Sequence, residues 1–183
     1  MKPKFIVFEG IDGCGKGTQI ELLCNRFREA GIANTKTAEP TFSCTGGMIR
    51  DCLSGKTKTS PYELAALFLA DRINHNTNEF DGIEKLLSQG KTVICDRYYY
   101  SSIAYQSLDC PINWVSDMNL CCRSIRKPDL CIFLDLTPEE SLRRMQQCGK
   151  PLDLMEGDIE KSARIRQRFF DCFDIVRQTD NTR

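Results

Sequence analysis

Residues Phe5-Ile6-Val7-Phe8 run without a break into Glu9-Gly10-Ile11-Asp12-Gly13-Cys14-Gly15-Lys16-Gly17-Thr18, and this junction constrains the fold more than any other stretch of the chain. The apolar run reads as a strand. The glycines let the backbone turn tightly and aim several N–H groups at one anion, and the helix that follows adds the positive end of its dipole. Lys16 supplies a mobile point charge for outer phosphates. The segment therefore predicts a nucleotide-phosphate cradle built from Gly10, Ile11, Asp12, Gly13, Cys14, Gly15, Lys16, Gly17 and Thr18. Gly10, Gly15 and Lys16 meet the spacing G-x-x-x-x-G-K, but Gly17 stands where a magnesium-binding hydroxyl usually sits, with Thr18 one place later.

A length of 183 residues fits one α/β domain, and no composition break or linker divides it. The formal net charge is zero, which gives no electrostatic reason to expect nucleic acid or an anionic membrane as a partner. Met1-Lys2-Pro3-Lys4 leads directly into the first strand and no long apolar span follows, so a soluble cytoplasmic protein is expected. The chain has 11 cysteines, scattered as small apolar residues would be rather than as a disulfide framework, and most are expected reduced and buried. No C-x-x-C pair occurs. The single His75 reads as helical surface rather than as a metal ligand.

Beyond the loop, Leu23, Phe27 and Ala30 keep helical spacing until Gly31, and 34–38 reads as a second strand ending at Glu39-Pro40-Thr41. Gly46-Gly47 are expected to open a short helix through Ile49 and Leu53. Ser60-Pro61-Tyr62-Glu63 is a strong helix start, and Leu64, Ala65, Leu67, Phe68 and Leu69 predict burial of its first turns until Asp71-Arg72 bring in charge. A helix around Ile83, Leu86 and Leu87 closes at Gly90, and 92–96 is a compact buried strand. Trp114, Met118, Cys121 and Ile125 suggest another helix, 130–136 another strand, and Thr137-Pro138-Glu139-Glu140 another helix start. A last amphipathic helix is read from Ile159, Ala163, Phe170, Phe173 and Val176, its basic face solvated. Alternating strands and helices imply a parallel sheet with helices on both sides and ligands beyond the strands' carboxyl ends.

A phosphate loop alone does not choose among a GTPase, an ATP motor and a small-molecule kinase. Four further segments do: Phe8-Glu9-Gly10-Ile11-Asp12-Gly13, Glu39-Pro40-Thr41, Phe68-Leu69-Ala70-Asp71-Arg72, and Asp96-Arg97-Tyr98-Tyr99-Tyr100-Ser101-Ser102-Ile103-Ala104-Tyr105-Gln106. With these the chain resembles thymidylate kinases, most of all the archaeal form, in one register over roughly residues 4 to 176. The resemblance implies the fold of P-loop nucleoside-triphosphate hydrolases and transfer of the γ-phosphoryl group of ATP to dTMP, with Mg2+ bridging the ATP phosphates. It implies that Lys16 and the loop hold ATP, that Arg97 grips the acceptor phosphate or the transferring group, and that Asp96 and Thr18 serve the metal, directly or through water. It also implies that Phe68 stacks on thymine, Arg72 meets a base carbonyl, Asp12 accepts from the sugar 3′-hydroxyl, Tyr105 crowds the 2′ position and Gln106 adds a base or sugar contact. Glu39 would lie beside the acceptor phosphate and Arg50 would add a clamp there. Members of the family are usually homodimers through helix packing.

Some positions depart from the family pattern. Gly17-Thr18 looks more like the loop of adenylate and uridylate kinases, Ala38 replaces a common arginine, and Gly13 stands where some members carry a catalytic arginine. Members without that arginine take the charge from a lid, here 143–156, where Arg144 and Lys150 are the candidates. Asp153-Leu154 lacks a lid arginine, and the last strand of the family is expected missing, short or disordered before Arg183. Two alternatives stay open: a kinase for another monophosphate (UMP, CMP or AMP), and a nucleotide-binding relative with weak or no catalysis.

Overall fold

A computed structural model describes residues 2–147 and 158–179. In chain order the elements are β1 (Phe5–Glu9), α1 (Lys16–Glu29), β2 (Asn34–Ala38), α2 (Cys44–Leu53), α3 (Pro61–Thr77), α4 (Ile83–Ser88), β3 (Thr92–Asp96), α5 (Tyr99–Gln106), α6 (Ile112–Leu120), β4 (Leu130–Phe133), α7 (Pro138–Gln147) and α8 (Ile159–Thr179). The strands form one parallel sheet in the order β2-β3-β1-β4. Val7 stands opposite Cys95 on one side and Cys131 on the other, and Thr37 opposite Cys95. From β1 the chain leaves toward β2 and β3, whereas from β3 it crosses to β4 on the far side. The carboxyl ends of β1 and β3 therefore flank a topological switch point, where a crevice opens above the sheet.

Side chains alternate across β1, and the core divides accordingly. Phe5 and Val7 join a cluster with Ile83, Val115, Ile165 and Phe169, contributed by α4, α6 and α8. Ile6 and Phe8 meet Ile20 and Cys24 of α1 on the other face. The anticipated three-layer α/β fold is what these residues build. At the head of α3, Ser60 Oγ accepts from Glu63 N at 3.2 Å while Glu63 Oε2 accepts from Ser60 N at 2.8 Å, the reciprocal cap read from the sequence.

Several local expectations need correction. Burial along α3 matches the expectation at Ala65, which is buried, but Leu64, Leu67, Phe68 and Leu69 are only half-buried, and Asp71, Arg72, His75 and Asn76 are buried. Leu64 and Phe68 line a cavity, Leu69 packs at the margin of the core, and the later polar residues find partners inside the protein. His75 is thus not surface. On α8 the buried stripe is Ile165, Phe169, Cys172 and Val176, with Ile159 and Phe170 exposed. The observed spacing holds one helical face, and Cys172 packs there as an apolar residue. α2 starts at Cys44, because the Ser43 hydroxyl caps it by accepting from Gly46 N at 3.2 Å, ahead of the two glycines. β4 ends at Phe133 and α6 at Leu120, each earlier than expected. Of the cysteines, Cys14, Cys24, Cys95, Cys110 and Cys172 are buried but Cys44 and Cys121 are exposed. No described helix is long and apolar enough to cross a membrane.

Candidate active site

The glycine loop leaves β1 at the sheet's carboxyl edge. Gly10, Gly13 and Gly15 have φ of 143°, 74° and 97°, which L side chains rarely adopt. Space is equally restrictive at Gly10, where a Cβ would sit 2.8 Å from the Leu134 carbonyl oxygen. At Gly13 it would meet Met145 Cγ at 2.7 Å and the Ser141 carbonyl oxygen at 2.9 Å. Gly13 is therefore closed to a side chain by α7. Lys16 is buried, and its ammonium folds back over the loop, donating to the carbonyls of Gly10 at 3.0 Å and Ile11 at 3.1 Å. Burial and then the Arg97 charge lower its pKa.

Arg97 follows β3 with a left-handed backbone, φ 67°, a strained state for a non-glycine residue. Its Nη1 donates to Ser101 Oγ at 3.1 Å, Tyr105 OH at 3.3 Å and the Gly10 carbonyl at 3.4 Å, and its Nη2 pairs with Asp12. The Gly10 carbonyl accepts from both Lys16 and Arg97, so the two cations meet over one oxygen. The guanidinium lies 5.1 Å from the centroid of the Tyr105 ring, whose hydroxyl donates to Asp12 Oδ2 at 3.1 Å. Burial would raise the Asp12 pKa, but Arg97 and Lys16 outweigh it and hold the carboxyl below its usual value.

Glu9, which sequence reasoning assigned no role, holds this turn from below. Its Oε1 accepts from Tyr98 N at 2.7 Å and Ser101 N at 3.2 Å, and its Oε2 from Ser101 Oγ at 2.6 Å. A fully buried carboxyl thus caps α5 and fixes the residues that follow Arg97. Burial pushes its pKa up to about 7. A charged residue closing an otherwise apolar strand was the available sequence signal.

A second buried network surrounds Arg72, which is 1% exposed. Its Nε and Nη2 donate to Glu39 Oε2 at 2.8 and 2.5 Å, Nη2 also to Ser102 Oγ at 3.0 Å, and Nη1 to Asn119 Oδ1 at 2.5 Å. The other Glu39 oxygen lies 2.9 Å from His75 Nδ1, and His75 Nε2 lies 2.7 Å from Thr37 Oγ1. The buried histidine is therefore a brace for Glu39. Next to Arg72, Asp71 accepts from Thr41 N at 2.7 Å, Thr41 Oγ1 at 2.6 Å and Ser43 Oγ at 2.7 Å, and so pins the chain between β2 and α2.

These groups converge on a cavity of about 490 Å³ lined by Asp12, Glu39, Phe68, Arg72, Arg97, Tyr105 and Gln106 among others. Arg50 does not line it: its Nη1 is engaged by the Thr41 carbonyl at 2.6 Å and its guanidinium lies over Phe42. Gln106 Oε1 is buried there and has no hydrogen-bond partner among the described residues. A neighbouring cavity of about 540 Å³ is lined by Gly17 and Asp96, and Asp96 Oδ1 is also buried and unpartnered among the described residues. Thr18 is exposed and outside that lining. Of the lid candidates, Arg144 pairs with Glu140 at 2.8 Å within α7. Lys150 and Asp153-Leu154 lie outside the described residues.

A family model described as "Thymidylate kinase" matches residues 8–180. A protein of Pyrococcus horikoshii called "Probable thymidylate kinase" is 40% identical over 181 residues, covering 92% of this chain and 82% of its own length. One of Pyrococcus abyssi with the same description is 36% identical, covering 97% of this chain and 86% of its own. A third, from Methanocaldococcus jannaschii, is 42% identical over 143 residues, with coverage of 78% and 69%.

Proposed function

The chain belongs to the thymidylate kinase family, and on that premise we propose that it transfers the γ-phosphoryl group of ATP to dTMP, giving dTDP and ADP. The observation that carries the choice of acceptor is the polarity of the cavity. Arg72 has five N–H groups, four of them committed to Glu39, Ser102 and Asn119, which leaves one donor on Nη1. Gln106 lines the same cavity as Phe68, and its Oε1 is an acceptor with no hydrogen-bond partner among the described residues. A donor and an acceptor beside an aromatic face complement the imide edge of thymine, a carbonyl next to an N–H. Adenine and cytosine show an amino group next to a ring acceptor, the reverse pattern.

Phosphoryl transfer needs positioning and charge neutralisation more than covalent help. Lys16 and the loop backbone would hold the ATP phosphates, and Arg97, beside Lys16 at the Gly10 carbonyl, would take the acceptor phosphate or the group in transit. Asp12, kept ionised by Arg97 and Lys16, would accept from the sugar hydroxyl, and Tyr105 would border the sugar. Glu39 serves the acceptor by holding Arg72. Asp96, whose Oδ1 is buried and unpartnered among the described residues and which lines one cavity with Gly17, would serve magnesium through water, whereas the exposed Thr18 contributes less. Mg2+ bound with ATP would supply further neutralisation of phosphate charge.

We read the chain as one cytoplasmic kinase domain, residues 1–183, with a lid at 143–156. The homodimer expected of the family is part of the same proposal. An ADP-release assay with dTMP, dUMP, UMP and AMP tests the activity: dTMP should give the highest kcat/KM. Turnover with AMP alone would overturn the reading, and ATP binding without turnover of any acceptor would leave only a nucleotide-binding relative.

A further inference from the structure

Arg72 lines the cavity with one N–H left uncommitted among the described residues, and the structure shows which partners leave it so. Glu39 occupies Nε and one Nη2 hydrogen, and Ser102 occupies the other. The remaining nitrogen, Nη1, would present two hydrogens were it not for Asn119 Oδ1 at 2.5 Å. Asn119 is 2% exposed, and its own amide donates to the Val115 carbonyl one turn back on α6 at 2.8 Å. That bond fixes which end of the amide faces Arg72: the nitrogen is spoken for, so the oxygen must be the acceptor. A buried side chain with both ends assigned is a rigid stop for the guanidinium plane, which also lies 5.2 Å from the centroid of the Tyr98 ring.

We infer that Asn119 is a positioning residue for base selection: by taking one Nη1 hydrogen of Arg72 it leaves a single, fixed donor to meet the carbonyl of a pyrimidine imide. It touches no substrate and acts through Arg72. The inference rests on the proposed reading of the acceptor. With Glu39 and Ser102 still holding the other side of the guanidinium, a second uncommitted Nη1 hydrogen would offer a donor in a second direction, so removing Asn119 should blur selection between bases more than it slows the chemistry.

The test compares dTMP with dCMP as acceptors for the wild type, Asn119→Leu and Asn119→Asp. Asn119→Leu removes the acceptor at similar volume, and the kcat/KM ratio of dTMP over dCMP should fall roughly tenfold, with the KM for ATP within twofold. Asn119→Asp keeps an oxygen for Arg72 but loses the bond to Val115, and it should retain the ratio. Should Asn119→Leu not fold, Asn119→Ala removes the same acceptor and is judged on the same ratio. A wild type that prefers dTMP while the acceptor-less variant keeps that preference overturns the role of Asn119 alone. Equal losses on both acceptors in Leu and Asp variants also overturn it, because they report only the packing of α6. A wild type without preference for dTMP overturns the base reading itself and this inference with it.

Discussion

The two halves of the cleft are built by different means. On the donor side the phosphate loop is made from consecutive backbone, with Lys16 bonded to carbonyls five and six residues away. On the acceptor side Arg72 is held by residues 30, 33 and 47 positions away, from α5, the turn after β2 and α6. The donor half is local and lightly braced; the acceptor half is a buried charge network that ties the fold together. A residue of the first kind can be lost with little cost to folding. One of the second kind cannot, because its partners stay behind in a medium that penalises unpaired charge.

Lys16→Ala is the sharpest test on the donor side. It should lower kcat by ~10³-fold, the scale for removing a group that stabilises developing charge, with the melting temperature nearly unchanged. A large loss of stability would erase the contrast. Glu39→Ala is its counterpart: it strands the buried Arg72 guanidinium and should cost about 3 to 5 kcal/mol of folding stability, read by urea denaturation. A stable Glu39→Ala protein would mean that the network is not structural.

Glu9 sits between the two halves and gives a smaller, pH-dependent effect. Its carboxyl binds a proton more tightly in the folded protein, at about 7, than the ordinary value of 4.5. The associated stability is fully present below pH ~4.5 and is lost as pH rises through about 7, by at most ~3 kcal/mol. Glu9→Gln carries no charge at any pH, and its stability should lack that decline between pH 4.5 and 7; a decline equal to that of the wild type would assign it to other groups.

The same contrast explains what could be read without coordinates. The loop, β2, β3 and the cap at Ser60 were legible because each is specified by neighbours in sequence: glycine spacing, apolar runs, a serine three residues before a glutamate. The Asp96 to Gln106 segment carried a family pattern but not its helix, since three consecutive tyrosines do not show helical periodicity. Asn119, Ser102 and His75 carried no signal of their own, because each acquires meaning from a partner supplied by another element. The first turns of α3 misled for a related reason. Apolar side chains that line a ligand cavity look, in sequence, like those that fill a core.

The central claim is that donor and acceptor phosphates meet end to end at the Gly10 carbonyl, where Lys16 and Arg97 converge. The most direct measurement is calorimetric binding of a bisubstrate analogue that joins adenosine and thymidine through a polyphosphate chain. It should bind at least ~10²-fold more tightly than ATP or dTMP alone, as linked ligands do when both sites are in reach, and lose that gain in both Lys16→Ala and Phe68→Ala, the latter a half-buried cavity residue outside the buried charge network. An analogue that binds no better than either nucleotide, or whose gain survives one of those substitutions, would show that the two halves do not share a cleft.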